Sequence, residues 1–564
     1  MPRISKAYSP RSKTGCLTCR RIKCDETKPN CLKCSSTGRK CDGYENRISL
    51  VPSSHYRLPI SRASPGITGS EREIRSFQFF YERTVPSLAG YCGSEFWSRL
   101  VLQVSQHEKP VWHAIVALGA KHETFERMPV LSFKHSVHDT FALKEYLMAI
   151  RALLGPMDRS SFDSSVQSAN DTSGTLTVDV CLISCILFIC FEILSSHYVA
   201  ALNHIRSGIK ILEGVYYDPD TGTYRHPFLN PSTASSLEIE NLRKIFIRLH
   251  IQAWTLTRAD VDDRSMDVIQ SMGAFPTQVP QSFSSLTEAR DVYEYFNYVM
   301  RGEYNKMIST ATASQASDLY DFGQRCMSLF GEWSGALDRF ERDRGPSLTT
   351  KERIGLKILQ IHRCEQAMLL EQHASGMTDS NRWDRYNSIF QEITSLAASV
   401  VELSGESGSA PSTPLGQVKF KPNFSLDMGI IAPLYNTATL CRDPLIRRRA
   451  VDILRSASRQ EGAINSYMWA IAAEKVIALE ESVAAEVGLG YDGVAAAALD
   501  VSAGQRRQSI TRCSEVPDNA RFSYAYPKFD IASMEVSLTV EREMGGQMNI
   551  PLPAMTAMLD AEGR

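Results

Sequence analysis

Apolar runs long enough to cross a membrane are missing from this sequence. The most apolar stretch, VDVCLISCILFICFEIL at 178–194, is interrupted by Asp179 and Glu192, which leave twelve residues between them. A bilayer core of about 30 Å takes about 20 residues in a helix. A buried core helix is therefore expected there, and no membrane partner. The first fifteen residues, MPRISKAYSPRSKTG, hold no apolar core of signal-peptide length, so export is not expected. Strand-like alternation is nearly absent, apart from MEVSLTVE at 534–541. Also lacking are the nucleophile elbow G-x-S-x-G, a P-loop and H-E-x-x-H. No constellation of catalytic groups stands out, and the chain is not expected to be an enzyme.

Net charge is also small, at −1 over 564 residues, but it is unevenly placed. Residues 1–47 hold twelve lysines and arginines against four acids, a surplus of +8 that leaves −9 for the remainder. A basic head on a mildly acidic body suits a polyanion-binding module joined to a globular partner.

Cysteine is scarce in the body and concentrated in the head. Six of the fourteen, Cys16, Cys19, Cys24, Cys31, Cys34 and Cys41, fall in TGCLTCRRIKCDETKPNCLKCSSTGRKCDGY. In a reducing compartment such clustering favours metal over disulfides. A structural zinc site takes four ligands. Six thiols therefore make one site with two spares, or two sites if two thiolates bridge. The halves read C-x2-C-x4-C and C-x2-C-x6-C, and their repetition favours sharing. Six thiolates and two zincs leave the cluster formally at −2, so the surrounding basic residues partly hold the cluster and partly remain for a partner.

The run from Cys16 through Arg20, Arg21, Lys23, Cys24, Asp25 and Pro29 to Cys31, Cys34 and Cys41 resembles the binuclear zinc cluster of fungal transcription factors. The resemblance implies two zinc ions bridged by Cys16 and Cys31. One ion would take Cys16, Cys19, Cys24 and Cys31; the other would take Cys16, Cys31, Cys34 and Cys41. It also implies that the segment between the second and third cysteines reads double-stranded DNA. Around the ligands, Arg11, Lys13, Arg20, Arg21, Lys23 and Lys33 are the candidate DNA contacts. Arg21 leads for base readout, because arginine bonds guanine bidentately.

The resemblance is imperfect in one interval. The family places six residues between the second and third cysteines, and this chain has four. At 100° per residue, Cys34 and Cys41 fall about 20° from a common face, whereas Cys19 and Cys24 fall about 140° apart. Cys24 reaches its metal only if the chain leaves the helix early, which shortens the basic segment. A head crippled by this gap, in a protein acting through its helical domain, is the alternative reading. An enzyme with a separate metal module is a remote one.

After the head, residues 45–70 hold three prolines and no sustained heptad, as expected of a flexible or extended linker. From Glu71 the periodicity becomes helical. Apolar stripes surround Phe96, Trp97, Leu100, Val101 and Val104, then Val111, Ile115, Val116 and Leu118. Further helical segments are expected at 139–154, 179–213, 239–256, 351–370, 385–403, 445–455 and 464–482, with Ile354, Ile358, Ile361 and Met368 on one face. Ser-rich breaks at 158–176 and 403–417 read as loops. The fold class is all-α: a small zinc-stabilised module, 11–44, and a large helical domain, 71–545, with a tail at 546–564. FWSRLVLQVSQHEKPVWHAIVALGAKHE, ILFICFEILSSHYVAALNHIRSGIKIL, MGIIAPLYNTATLCRDPLIRRRAVDIL and SRQEGAINSYMWAIAAEKVIALEE resemble the fungal-specific transcription factor domain. That resemblance implies a nuclear regulator of RNA polymerase II genes, with a metabolic gene cluster as an expected target, contacting co-regulators or the transcription machinery.

Other patterns take blander readings. Gly488, Gly490 and Gly493 match G-x-G-x-x-G but follow a helix instead of a strand, so a helix-ending loop is expected. Cys181, Cys185 and Cys190 are expected as inert core thiols, and His135 and His138 as exposed histidines. Arg447, Arg448 and Arg449 follow Asp443-Pro444, a helix start, and are expected on a solvated, salt-bridged face.

Overall fold

The computed structural model describes residues 31–38, 41, 69–127, 139–159, 176–231, 236–257, 278–309, 316–375, 382–405, 422–488, 516, 520–530, 535–541 and 546–552. The chain divides into two units, Met1–Thr68 and Gly69–Arg564. Within the first, a single short helix α1 (Leu32–Ser36) is described.

The described residues of the second unit are mostly helical, as expected of an all-α body. It opens at α2 (Glu71–Phe79), where Ser70 and Glu73 form a reciprocal capping box. A π-helical turn, Phe80–Thr84, carries α2 into α3 (Val85–Leu88). Pro86 follows that turn and lacks the N–H that a regular ladder would need. A second π turn, Phe96–Leu100, leads into α4 (Val101–Ser105). Then come α5 (Lys109–Arg127), α6 (Thr140–Arg159), α7 (Val178–Leu194), α8 (Tyr198–Glu213) and α9 (Ser236–Thr257). All seventeen residues of α7 are buried, as the interrupted apolar run predicts. Its Glu192 is held by the Tyr146 hydroxyl at 2.5 Å and the His197 ring at 2.8 Å. Glycines let these helices approach closely. A Cβ on Gly208 would lie 2.0 Å from the Phe246 ring, and one on Gly119 would lie 2.2 Å from the Ser76 carbonyl oxygen.

A second core joins α12 (Thr350–Ser375), α13 (Asn387–Leu403), α14 (Ile431–Leu440), α15 (Pro444–Ser456) and α16 (Ser466–Gly488). Ile354, Ile358 and Ile361 face it, as their spacing predicts, whereas Met368, expected on the same face, packs instead in a separate cluster with Trp383, Tyr386 and Phe390. A third core lies between α12 and two helices the periodicity reading passed over, α10 (Leu286–Ser309) and α11 (Ala316–Arg344). Its filling is aromatic: Tyr293, Phe296, Phe322, Phe330, Trp333 and Phe340, with the Trp333 indole N–H donating to the Ala289 carbonyl at 2.9 Å.

The strands are few and short. β1 (Tyr216–Asp218) and β2 (Thr223–Arg225) make a hairpin. β3 (Asn423–Ser425) pairs parallel with β4 (Arg459–Glu461), which pairs antiparallel with β5 (Ile464–Asn465). The MEVSLTVE segment is indeed a strand, β7 (Glu535–Glu541), between β6 (Tyr524–Asp530) and β8 (Gln547–Pro551) in an antiparallel sheet. β8 falls within the segment set apart in the sequence as a tail.

Arg447 corrects one expectation. It is 1% exposed, not solvated, and with Arg442 it grips Glu480, which is 0% exposed. The distances are 2.8 Å from Arg447 and 3.2 Å from Arg442. Burial alone would raise the Glu480 pKa, but Arg442 and Arg447 hold it below the ordinary carboxylate value. Arg448 behaves as expected of a solvated face, pairing with Glu481 at 2.6 Å on the surface. Asp443 caps α15 ahead of Pro444. Cys181, Cys185 and Cys190 are buried, and α16 ends at Gly488. Gly490, Gly493, His135 and His138 lie outside the described residues.

Candidate metal centre and nucleic-acid interface

The second half of the cysteine run builds a chelating corner. Cys31 is the N-cap of α1, in extended conformation (φ −69°, ψ 139°). Its carbonyl accepts the Ser35 N–H at 3.2 Å, and its Sγ accepts the Cys34 N–H at 3.3 Å. A C-x2-C spacing produces this geometry directly: three residues along a first helical turn bring the second thiol back beside the first. Thr37 closes the helix, and Gly38 then turns the backbone through φ 66°, the left-handed region glycine enters at little cost. The reversal returns the chain to Cys41. The Sγ atoms of Cys31, Cys34 and Cys41 lie within 4.8 Å of one another, the first two buried and the third half-buried.

These residues fit zinc. Tetrahedral bonds of about 2.3 Å place two sulfurs about 3.8 Å apart, well inside the observed spread. The N–H donated to Cys31 Sγ favours the thiolate, the form that binds metal. Cys31, Cys34 and Cys41 would hold the ion, which in turn would fix a fold too small for a hydrophobic core of its own.

The described thiols of the body are of the opposite kind. Burial pushes Cys92, Cys185, Cys326 and Cys441 up to about 12, and Cys181 and Cys364 to about 11. Cys190 is raised further still, again by burial. Protonated thiols in apolar surroundings neither bind zinc nor attack electrophiles.

Cys16, Cys19, Cys24, Arg11, Lys13, Arg20, Arg21 and Lys23 lie outside the described residues; Lys33 falls within α1. The structure therefore brings together three of the six predicted ligands. Among the described residues, no helix is long and apolar enough to cross a membrane.

A thiol-rich chelating head ahead of a helical body is the make-up of a zinc-cluster protein. Residues 14–49 match the fungal Zn(2)-Cys(6) binuclear cluster domain. A domain of this kind binds two zinc ions. The aspercryptin biosynthesis cluster-specific transcription regulator atnN of Emericella nidulans is 23% identical over 562 residues, covering 81% of this chain and 85% of the relative. The transcription regulator lscL of Purpureocillium lilacinum is 27% identical over 212 residues, 34% of this chain and 46% of the relative. The transcriptional regulatory protein moc3 of Schizosaccharomyces pombe is 71% identical over 48 residues, 8% of this chain and 9% of the relative. No solved structure is a significant match.

Proposed function

We infer that this chain is a zinc-dependent, sequence-specific DNA-binding transcription regulator of RNA polymerase II genes, acting in the nucleus. The observation that carries the reading is the binuclear cluster domain at 14–49, set in a head whose surplus charge is +8. In this reading Cys16 and Cys31 bridge two zincs. Cys19 and Cys24 complete one site; Cys34 and Cys41 complete the other. Arg11, Lys13, Arg20, Arg21, Lys23 and Lys33 meet phosphates and base edges, with Arg21 the first choice for guanine. Phosphate contacts supply affinity and base-edge contacts supply specificity. A role at a metabolic gene cluster is supported by the printed function of the Emericella nidulans relative, which spans most of this chain. The helical body is read as the regulatory part, contacting co-regulators or the transcription machinery.

The test is duplex binding by the full chain across a salt series. Affinity should fall linearly in a log–log plot, with a slope of about 0.9 per phosphate neutralised. Zinc chelation should abolish the binding. Arg21→Ala should cost about 1–3 kcal/mol on the preferred site and relax its specificity. Affinity indifferent to salt and chelator would count against the reading. The four-residue interval between Cys19 and Cys24 favours a second reading, in which the head binds DNA weakly and the body's protein contacts do the work. That reading predicts duplex affinity no better than a scrambled sequence obtains.

A further inference from the structure

Away from the head, three helices converge on Glu73, His113 and Glu145. Glu73 is in the first turn of α2, His113 is near the start of α5, and Glu145 is on the inner face of α6. One donor atom from each lies within 4.8 Å of the other two. We propose that these residues form a divalent transition-metal site of the zinc class, a clip that ties α2, α5 and α6 together.

Charge is the first argument. Glu145 is 3% exposed, and Glu73 and His113 are half-buried. Two carboxylates thus share at most one positive charge, that of the imidazole. Neighbouring arginines are committed elsewhere: Arg72 to Asp139 at 2.9 Å and Arg75 to Glu123 at 2.8 Å. Among the described residues no lysine or arginine pairs with Glu73 or Glu145. A buried carboxylate without adequate counter-charge is costly, and a dication supplies what is missing.

Donor geometry is the second. His113 Nδ1 and Glu145 Oε2 are 2.7 Å apart, and among the described residues Glu145 makes no other hydrogen bond. Glu73 Oε2 accepts the Ser70 N–H at 2.5 Å, which leaves its Oε1 available. One imidazole and two carboxylates make a nitrogen–oxygen set suited to zinc, with water completing four-coordination from the half-exposed side. Metal–ligand bonds of about 2.0–2.2 Å in four-coordination place neighbouring donors about 3.3–3.6 Å apart. Loading therefore opens the His113–Glu145 pair by roughly 0.6–0.9 Å. His113 and Glu145 already form a hydrogen-bonded latch, so the clip strengthens an existing contact between α5 and α6.

The experiment uses the full chain without an affinity tag, with zinc chloride as the only added metal. Native mass spectrometry should count one zinc more in the wild type than in His113→Gln or Glu145→Gln. Cys31→Ala combined with His113→Gln should carry one fewer than Cys31→Ala alone, which separates this site from the head. Zinc titrated into the Cys31→Ala chain should raise its unfolding temperature saturably, a readout that requires no folded variant of the triad. Equal zinc counts in the wild type and both triad variants, or no saturable shift, would overturn the proposal.

Discussion

The two populations of cysteine in this chain teach opposite lessons about one side chain. In the head, Cys31, Cys34 and Cys41 converge at a helix start with a backbone N–H aimed at sulfur, and small polar and basic residues fill the spaces between ligands. In the body, Cys181, Cys185 and Cys190 lie along α7 among Leu, Ile and Phe. Burial there keeps the thiols protonated. A module as small as the head is expected to fold on metal; the described residues of the body bury large hydrophobic clusters and use cysteine as a small hydrophobe. Spacing and polarity of the neighbours decide between these outcomes.

The largest effect that should separate the two regions is reactivity. After chelation, alkylation at neutral pH should label the head cysteines. The folded body's thiols with values of about 12 have a thiolate fraction roughly 10³-fold below that of an ordinary thiol near 8.5. Peptide mapping reads this out. Rapid labelling of Cys185 or Cys326 in the folded protein would erase the contrast.

Next in size is the body's buried ion triad. Glu480→Ala strands Arg442 and Arg447 in the second core, and should destabilise the body by about 3–5 kcal/mol. Arg448→Ala, breaking the surface pair with Glu481, should cost under about 1 kcal/mol. Denaturant midpoints compare the two, and neither substitution should release zinc from the head.

Acid should weaken the body by a route of its own. His122 is 0% exposed, with Nδ1 and the Thr84 hydroxyl 2.9 Å apart. Burial first, and then Arg83, push its pKa down to about 3. Its unfolded value is about 6.5, so below that pH the unfolded chain takes a proton the folded chain refuses. No penalty exists above about 6.5. It grows by about 1.4 kcal/mol per pH unit as pH falls toward 3. Stability of His122→Gln followed from pH 6.5 to 5 should fall less steeply than that of the wild type. Parallel slopes would contradict the assignment.

Much of this was legible in the chain itself. The proposed ligands of the head are local, three to seven residues apart, so their spacing survives in the sequence. The face of Ile354, Ile358 and Ile361 was visible for the same reason. Helices α10 and α11 escaped because their inward faces are aromatic and set among many charges. Even so, Phe322, Cys326, Leu329, Phe330, Trp333, Leu337 and Phe340 carry a helical period that could have exposed α11. The burial of Arg447 could not be read locally, because its partner Glu480 comes from another helix. The same holds for Glu73, His113 and Glu145, which only the packing of α2, α5 and α6 brings together.

The smallest expected effect concerns the two halves of the head. Inserting Arg-Lys between Arg21 and Ile22 restores a seven-residue separation of the flanking cysteines, which puts Cys19 and the third cysteine on one helical face. Zinc retention and specific DNA affinity should both rise. The same dipeptide placed before Cys16 controls for charge. Equal gains in the two variants would mean that the short interval is tolerated without strain.

The central claim is that the head's six cysteines hold two zincs through shared ligands while the described thiols of the body hold none. Zinc counted per full-length chain by native mass spectrometry tests it directly. Relative to the wild type, Cys31→Ala should lose two ions, Cys41→Ala one, and Cys190→Ala none. A loss of only one ion from Cys31→Ala, with the rest of the head still folded, would contradict it.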